Sequence, residues 1–208
     1  MIDLDLILAT FLRQSKEIEN SDKKLSVRRT SVEIPSALNE FARIITGIRR
    51  SGKSTFVNQD FLKTDSNAFY LNFDDPALYS FSASDFVILE EAIERFQNEN
   101  KGSKAVYFDE IQIVEGWEVF VNSQLRKGNL VTVTGSNASL LSYELGTRLT
   151  GRHLDYELFP FNFDEYCKLR KCDKTSESFK HFLEEGGFPE YLIYNRTDIL
   201  KRLVEDML

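Results

Sequence analysis

Residues 47–55 read Gly-Ile-Arg-Arg-Ser-Gly-Lys-Ser-Thr, a glycine-rich segment that carries a lysine and ends in two hydroxyl residues. Glycine admits backbone conformations that a side chain forbids, so such a segment can curl around an anion and point its N–H groups at it. A lysine adds a cation, and the hydroxyl that follows can ligate a divalent metal. The spacing G-x-x-x-x-G-K-[ST] therefore predicts a loop that binds the phosphates of a nucleotide with Mg²⁺.

The polar residues of this loop have separate expected roles. Lys53 is expected to reach the β- and γ-phosphates, and the Ser54 hydroxyl to ligate Mg²⁺. A chance match is the alternative, but an apolar run at 42–46 and a helix-like stretch after the loop give the strand–loop–helix context that the motif needs. The residues predicted to bind the nucleotide are Gly47, Arg50, Ser51, Gly52, Lys53, Ser54 and Thr55.

A second motif lies at residues 104–110, where an apolar run ends in Asp109 and Glu110. In NTPases with a phosphate-binding loop, a neighbouring strand ends in an Asp that completes the Mg²⁺ shell. We predict this role for Asp109, and we predict that Glu110 deprotonates or orients the water that attacks the γ-phosphate. Alternatively, the two carboxylates only close a strand into a loop. The loop at 47–55 favours the catalytic interpretation.

Polar residues after the next apolar run, 130–134, are further candidates. Asn137, with Ser136 as second choice, could hold the attacking water, although Asn137 is equally suited to cap a helix. Arg148 and Arg152 could stabilise charge on the transferring phosphoryl group, within one chain or on a neighbouring subunit. Either arginine could instead be an ordinary surface residue.

Composition narrows the class of protein. The chain has 208 residues, with 33 acidic against 26 basic side chains and a formal net charge of −7, which is not the charge of a generic nucleic-acid binder. Cys167 and Cys172 lack a matching histidine pair and predict free thiols rather than a zinc site or a disulfide framework. No apolar run approaches the roughly 18 residues of a membrane helix, so we expect no membrane association and a cytoplasmic location.

Short apolar runs alternate with helix-like stretches along the middle of the chain, which is typical of a parallel sheet covered on both faces. We predict an N-terminal helix and linker at 1–36, an α/β nucleotide-binding core at 37–160 and a helical part at 161–208 that runs on towards a further C-terminal domain. The predicted strands are 43–46, 68–73, 105–108, 130–134 and 154–159. The predicted helices are 1–19, 54–63, 83–98, 117–126, 139–144, 162–171, 176–185 and one from 197 onward. Residues 186–189 are predicted to interrupt the helical pattern.

Taken together, the motifs resemble the AAA+ superfamily of P-loop ATPases, and a prokaryotic AAA-type group in particular. The resemblance covers residues 42–191, and several motifs in the right order carry it. They are Arg49-Arg50-Ser51-Gly52-Lys53-Ser54, Asp109-Glu110-Ile111-Gln112 with Trp117-Glu118, Thr134-Gly135-Ser136-Asn137-Ala138, Gly151-Arg152, Pro160-Phe161-Asn162-Phe163-Asp164-Glu165-Tyr166 and Gly186-Gly187-Phe188-Pro189.

The resemblance implies a three-layer α/β/α P-loop sandwich with strand order 5-1-4-3-2 and a small C-terminal helical lid. It also implies ATP as the nucleotide, Asn137 as the first sensor, and an arginine finger at Arg148 or Arg152, with the recurring Gly-Arg favouring Arg152. Members usually continue into a C-terminal domain. A homo-oligomer, a protein client and, by family analogy only, nucleic acid are the partners it suggests.

Two functions follow from these residues. The first is an Mg²⁺-dependent ATPase whose hydrolysis drives a movement of the lid. The second is a nucleotide-gated switch or scaffold that binds ATP but hydrolyses it little unaided. A kinase using the same loop is a third interpretation, but no acceptor site is identifiable in the sequence.

Overall fold

The computed structural model describes residues 2–22, 27, 40–64, 68–100, 104–135, 149 and 151–205. Its strands are β1 (Ala42–Thr46), β2 (Phe69–Asn72), β3 (Ala105–Asp109), β4 (Leu130–Thr134) and β5 (His153–Glu157). Its helices are α1 (Leu4–Asp22), α2 (Lys53–Lys63), α3 (Phe86–Asn100), α4 (Trp117–Arg126), α5 (Phe163–Arg170), α6 (Ser176–Glu185), α7 (Pro189–Tyr194) and α8 (Thr197–Glu205), with single 3₁₀ turns at Pro76–Leu78, Ala83–Asp85 and Ile111–Ile113.

The strands form one parallel sheet in the order β2-β3-β4-β1-β5. Read from the other edge this is 5-1-4-3-2, so the predicted α/β/α P-loop sandwich and its strand order are confirmed. Since all strands are parallel, their carboxyl ends lie at one edge of the sheet. The loops after β1, β3 and β4 therefore emerge together, and ligands of open α/β sheets bind at this edge.

Hydrophobic residues alternate between the two faces of the sheet, as the period of a strand requires. Ile44 packs in a core shared with α1, α3 and α4, and its neighbour Ile45 packs in a second core against α2. Both isoleucines are fully buried. The continuous apolar character of β1 is therefore explained by helices on both faces, as expected for a parallel sheet.

Helix α1 covers the outer edge of β2. The Asn72 N–H donates to Gln14 Oε1 at 2.9 Å, and Gln14 Nε2 donates to the Asn72 carbonyl at 3.2 Å. One amide side chain thus pairs with the backbone as another strand would, which shields an edge that could otherwise recruit a foreign strand. The N-terminal helix predicted from sequence therefore packs directly on the core.

The C-terminal helices have a small hydrophobic core of their own, which includes Phe161, Tyr166 and Leu192. Residues 186–189 are predicted to interrupt the helices, but Pro189 begins α7. Proline suits the first position of a helix because its missing N–H would have no partner there. The predicted helix at 139–144 lies outside the described residues.

None of the helices in the described ranges is long and apolar enough to cross a membrane.

Candidate functional site

The glycine-rich loop joins β1 to α2 at the carboxyl edge of the sheet. Gly47 has φ 145°, and a Cβ there would collide with the backbone carbonyl oxygen of Leu158. Gly52 caps α2 in the left-handed conformation, with φ 96°. Since α2 begins at Lys53, the N–H groups of its first turn have no acceptor within the helix and are available to an anion.

The Lys53 side chain closes over this loop. Its Nζ donates to the carbonyl of Gly47 at 2.9 Å and to that of Ile48 at 3.1 Å, and the residue is only 6% exposed. Burial lowers the pKa of Lys53, although the charges of Glu110 and Asp109 act to raise it. Both carboxylates at the end of β3 therefore lie close enough to the loop lysine to interact with its charge.

Asp109, the last residue of β3, is fully buried and bonded through both carboxylate oxygens. The Tyr70 hydroxyl donates to Oδ2 at 3.0 Å, and the Thr134 hydroxyl donates to Oδ1. Burial, with the adjacent Asp109 charge, raises the pKa of Tyr70 well above its usual value, so the phenol stays a neutral donor. The Asp109 carboxylate is thus held in a single orientation.

Glu110 follows Asp109 and lines the cavity beside the loop. Its backbone is left-handed, with φ 55°, and its N–H donates to Thr134 Oγ1 at 3.1 Å. The amide of Gln112 donates to Glu110 Oε2. Both the backbone and the carboxylate of Glu110 are therefore positioned by neighbouring residues.

The cavity has a volume of about 470 Å³ and two unlike walls. One wall is the loop, the start of α2 and Glu110, which together supply cations, N–H groups and a carboxylate. The other wall is α7, which contributes Pro189, Glu190, Ile193 and Tyr194. A site with a charged wall and a partly apolar wall suits a ligand with a phosphate end and a flat, less polar end.

Backbone strain is concentrated at this cavity. In the described part of the chain, the residues other than glycine with positive φ are Arg50, Glu110, Lys171 and Asn195. Lys171 and Asn195 cap helix C-termini, where this conformation is ordinary. Arg50 and Glu110 both line the cavity, and strain of this kind is typical of functional sites.

Arg50 connects the loop to α7. Its guanidinium forms an ion pair with Glu190 at 2.7 Å, and both side chains are about one-third exposed. The contact joins the wall that would hold phosphate to the wall formed by the C-terminal helices.

Most of the site residues predicted from sequence come together in this region. Six of them line the cavity: Arg50, Gly52, Lys53, Ser54, Thr55 and Glu110. Gly47 and Ser51 belong to the same loop, and Asp109 adjoins Glu110. Asn137, Ser136 and Arg148 lie outside the described residues.

Arg152 lies away from the cavity. Its carbonyl accepts the N–H of Ala42, the first residue of β1, at 3.0 Å, and its side chain is exposed. The loop leaves the other end of β1, so the backbone of Arg152 lies at the opposite edge of the sheet, on the order of 15 Å from the loop at the rise of a strand. Arg152 and the loop of the same chain are therefore not brought together.

Sequence reasoning missed Thr134, Tyr70 and the wall formed by α7. The motif that contains Thr134 predicts site roles only for the residues after it. The position of Thr134 could have been inferred from the strand order, since order 5-1-4-3-2 places the end of β4 between the loop and Asp109. No signal in the sequence placed α7, because the contact of Arg50 with Glu190 spans 140 residues.

The donor chemistry of this site fits Mg²⁺. Mg²⁺ prefers oxygen ligands and is commonly held by one or two carboxylates, phosphate oxygens and water. Ser54 and Asp109 would hold it together with the phosphates, with Glu110 adjacent. Among the described residues, this site included, no group of three or more His, Cys, Asp or Glu side chains could hold a metal by protein ligands alone.

Residues 39–167 match a family described as an AAA domain. The match runs from before β1 into α5 and includes the glycine-rich loop, Asp109 and Glu110. An uncharacterized protein of Methanocaldococcus jannaschii is 31% identical over all of this chain and 48% of its own length. An uncharacterized protein of Haemophilus influenzae is 34% identical over 74% of this chain and 41% of its own length. The chain thus spans about half the length of these curated relatives.

Among solved structures, a DNA replication initiation factor is similar over 92% of this chain and 61% of its own, with 15% identity and a TM-score of 0.46. A likeness at that level supports no argument about this chain.

Proposed function

Because the chain belongs to the AAA domain family, whose members are nucleotide-binding, ATPase-like proteins, we propose that it binds ATP with Mg²⁺ and hydrolyses ATP to drive a conformational change. The observation that carries the proposal is one cavity that joins the Lys53 loop and Glu110 to a wall made by α7. The residues proposed to bind phosphate and to activate water therefore face a helix that we propose to move.

The loop binds the nucleotide in this mechanism. The N–H groups at the start of α2 and the Lys53 ammonium take the phosphates, and Ser54 and Asp109 would hold Mg²⁺. When bound, Mg²⁺ neutralises charge on the phosphate oxygens. Lys53 exchanges its bonds to the Gly47 and Ile48 carbonyls for bonds to phosphate oxygens, which are stronger because both partners are charged.

Glu110 acts on the water. Its carboxylate accepts a proton as the water oxygen forms a bond to the γ-phosphorus, and the bond from that phosphorus to the bridging oxygen breaks to leave ADP and inorganic phosphate. Gln112 orients this carboxylate through the bond to Oε2. Asn137 is proposed to hold the water, and Arg152 to act on the site of a neighbouring subunit, since Arg152 lies at the far edge of its own sheet.

The conformational change is proposed to begin at the Arg50–Glu190 ion pair. A phosphate in the loop competes with Glu190 for the Arg50 guanidinium, which loosens the contact between the loop and α7. We propose that residues 161–208 act as the lid over a core at 37–160, with 1–36 as N-terminal helix and linker. Hydrolysis would restore the ion pair between Arg50 and Glu190, and the lid would go back to the position it had before ATP bound.

Glu190→Gln is expected to raise the affinity for ATP by up to about fivefold, since a partly exposed ion pair contributes up to roughly 1 kcal/mol and its loss frees Arg50 for phosphate. Fluorescence titration with a labelled ATP analogue at fixed ionic strength measures this change. Glu184→Gln, an exposed change on α6, is the control and should leave affinity as it was. Weaker binding by Glu190→Gln would show that Glu190 supports the nucleotide instead of competing with it.

A nucleotide-gated switch is the second candidate, and the position of Arg152 favours it. Within the described residues, the arginines that line the cavity are Arg49 and Arg50 of the loop itself. If Arg152 supplies the cation for the transition state, turnover by an isolated chain would be slow until a neighbouring subunit supplied it.

One experiment separates the two candidates. We expect Mg²⁺-dependent ATP turnover per chain to rise with protein concentration, because a neighbouring subunit then supplies Arg152. The measurement is phosphate release across a concentration series. Tight ATP binding without turnover at any concentration would support the switch, and an absence of ATP binding would contradict both candidates.

Partners remain part of the proposal. We propose self-assembly and a protein client that responds to the lid, with nucleic acid suggested by family analogy alone, and a cytoplasmic setting without membrane association. Since the relatives are about twice as long, the client surface is proposed to involve a further C-terminal domain.

A further inference from the structure

Thr134, at the end of β4, links the two predicted motifs. Its strand lies between β1, which leads into the loop, and β3, which ends in Asp109. Thr134 pairs with Ile45 on β1 and is fully buried. Its hydroxyl makes two bonds at once, because the O–H donates to Asp109 Oδ1 and the oxygen accepts the Glu110 N–H at 3.1 Å.

These two bonds fix different parts of the site. The first sets the direction of the Asp109 carboxylate, and the second holds the left-handed backbone of Glu110. That conformation is costly for a residue with a side chain and persists only where its surroundings impose it. Without the Thr134 hydroxyl, the Glu110 N–H would lose this partner and the left-handed backbone one of its restraints.

Tyr70 completes the arrangement from the other side. It lies on β2, is 3% exposed, and donates its hydroxyl to Asp109 Oδ2 at 3.0 Å. With one hydroxyl on each oxygen, the Asp109 carboxylate cannot rotate without breaking a buried hydrogen bond, and a buried polar group left without its partner is destabilising.

We propose that Thr134 and Tyr70 are positioning residues that hold Asp109 and Glu110 in one fixed arrangement for hydrolysis. The inference rests on the proposed ATPase function and assigns roles to two residues that touch neither nucleotide nor water. Groups that orient metal ligands from behind typically change metal affinity or activity by about 10- to 100-fold when removed.

The sheet provides two matched controls for a purely structural role. Thr132 lies two residues before Thr134 on the same strand face, and among the described residues its buried hydroxyl has no hydrogen-bond partner. Tyr107 pairs directly with Tyr70 in the sheet, but its hydroxyl contacts Asp60 at 3.0 Å and Thr64 at 2.7 Å, away from Asp109. Thr132→Val therefore removes a buried threonine hydroxyl, as Thr134→Val does, and Tyr107→Phe removes a buried tyrosine hydroxyl, as Tyr70→Phe does.

Thr134→Val is expected to lower kcat for ATP by about 10- to 100-fold and to raise the Mg²⁺ concentration that gives half-maximal rate. Nucleotide affinity measured without Mg²⁺ should stay unchanged, since the loop is intact. Thr134→Ser should restore most of the rate because it keeps the hydroxyl. Tyr70→Phe should shift the Mg²⁺ dependence in the same direction, while Thr132→Val and Tyr107→Phe should behave as wild type.

The inference is overturned if Thr134→Val keeps the wild-type rate and Mg²⁺ dependence, if Thr132→Val loses as much, or if Thr134→Ser gives no rescue. Should Thr134→Val fail to fold, Tyr70→Phe against Tyr107→Phe decides by the same measurements. If wild-type protein binds and hydrolyses ATP while Thr134→Val has the same rate and Mg²⁺ dependence, this inference alone is overturned. Wild-type protein that binds no nucleotide overturns the proposed function and this inference together.

Discussion

Glu110→Gln is expected to bind ATP as tightly as wild type and to hydrolyse it about 10²- to 10⁴-fold more slowly, the usual contribution of a general base. The substitution keeps the backbone, so the N–H bond to Thr134 and the left-handed turn remain. An amide cannot take the proton of the attacking water. Calorimetry gives the affinity, and phosphate release under saturating Mg²⁺–ATP gives the rate.

Glu115→Gln is the matched control for this prediction. Glu115 is an exposed carboxylate five residues further along the chain, outside the set of residues that line the cavity. Its loss should change neither affinity nor rate. Hydrolysis by Glu110→Gln at the wild-type rate would contradict the assignment of Glu110, and weaker ATP binding would place Glu110 in nucleotide binding instead.

Lys53→Ala is expected to weaken ATP binding by about 10- to 100-fold, because a hydrogen bond to a charged group contributes roughly 1.5–3 kcal/mol. The substitution removes the cation closest to the expected phosphates. It also releases the carbonyls of Gly47 and Ile48, which Lys53 holds in the structure. Calorimetry with ATP and Mg²⁺ measures the change.

The control for Lys53→Ala lies on the same helix. Lys63→Ala removes an exposed lysine in the last turn of α2 and should leave ATP affinity unchanged. Thermal unfolding without nucleotide checks that both variants fold. If folded Lys53→Ala binds ATP as wild type does, the loop is not the phosphate site and the central proposal is wrong.

The proposed conformational change depends on contacts that connect distant parts of the chain. Arg50 and Glu190 are 140 residues apart in sequence, yet their ion pair joins the two walls of the cavity. Residues 186–189 are predicted as an interruption because two glycines come shortly before a proline, whereas Pro189 begins a short helix. The contact between the loop and α7 therefore depends on how the C-terminal helices pack on the core.

The motif that contains Arg152 does not decide whether this arginine would act within one chain or between chains. The sequence indicates an arginine before the last strand, and the structure places its backbone at the far edge of the sheet from the loop of the same chain. A role in hydrolysis then requires a second subunit. No local pattern could distinguish an action within one chain from an action between chains, because the difference depends on how two subunits would pack together.

The loop, the paired carboxylates and the parallel sheet covered on both faces could all be predicted from the sequence. These features depend on spacing along a covalent chain, where G-x-x-x-x-G-K-S fixes a turn before a helix and continuous apolar runs fix buried strands. The tertiary structure alone decided that Thr134 and Tyr70 hold Asp109, that Glu110 has a left-handed backbone, and that α7 forms a wall of the cavity. Tyr70 and Thr134 are 39 and 25 residues from Asp109, so their contacts depend on strand register and packing, which no local segment encodes.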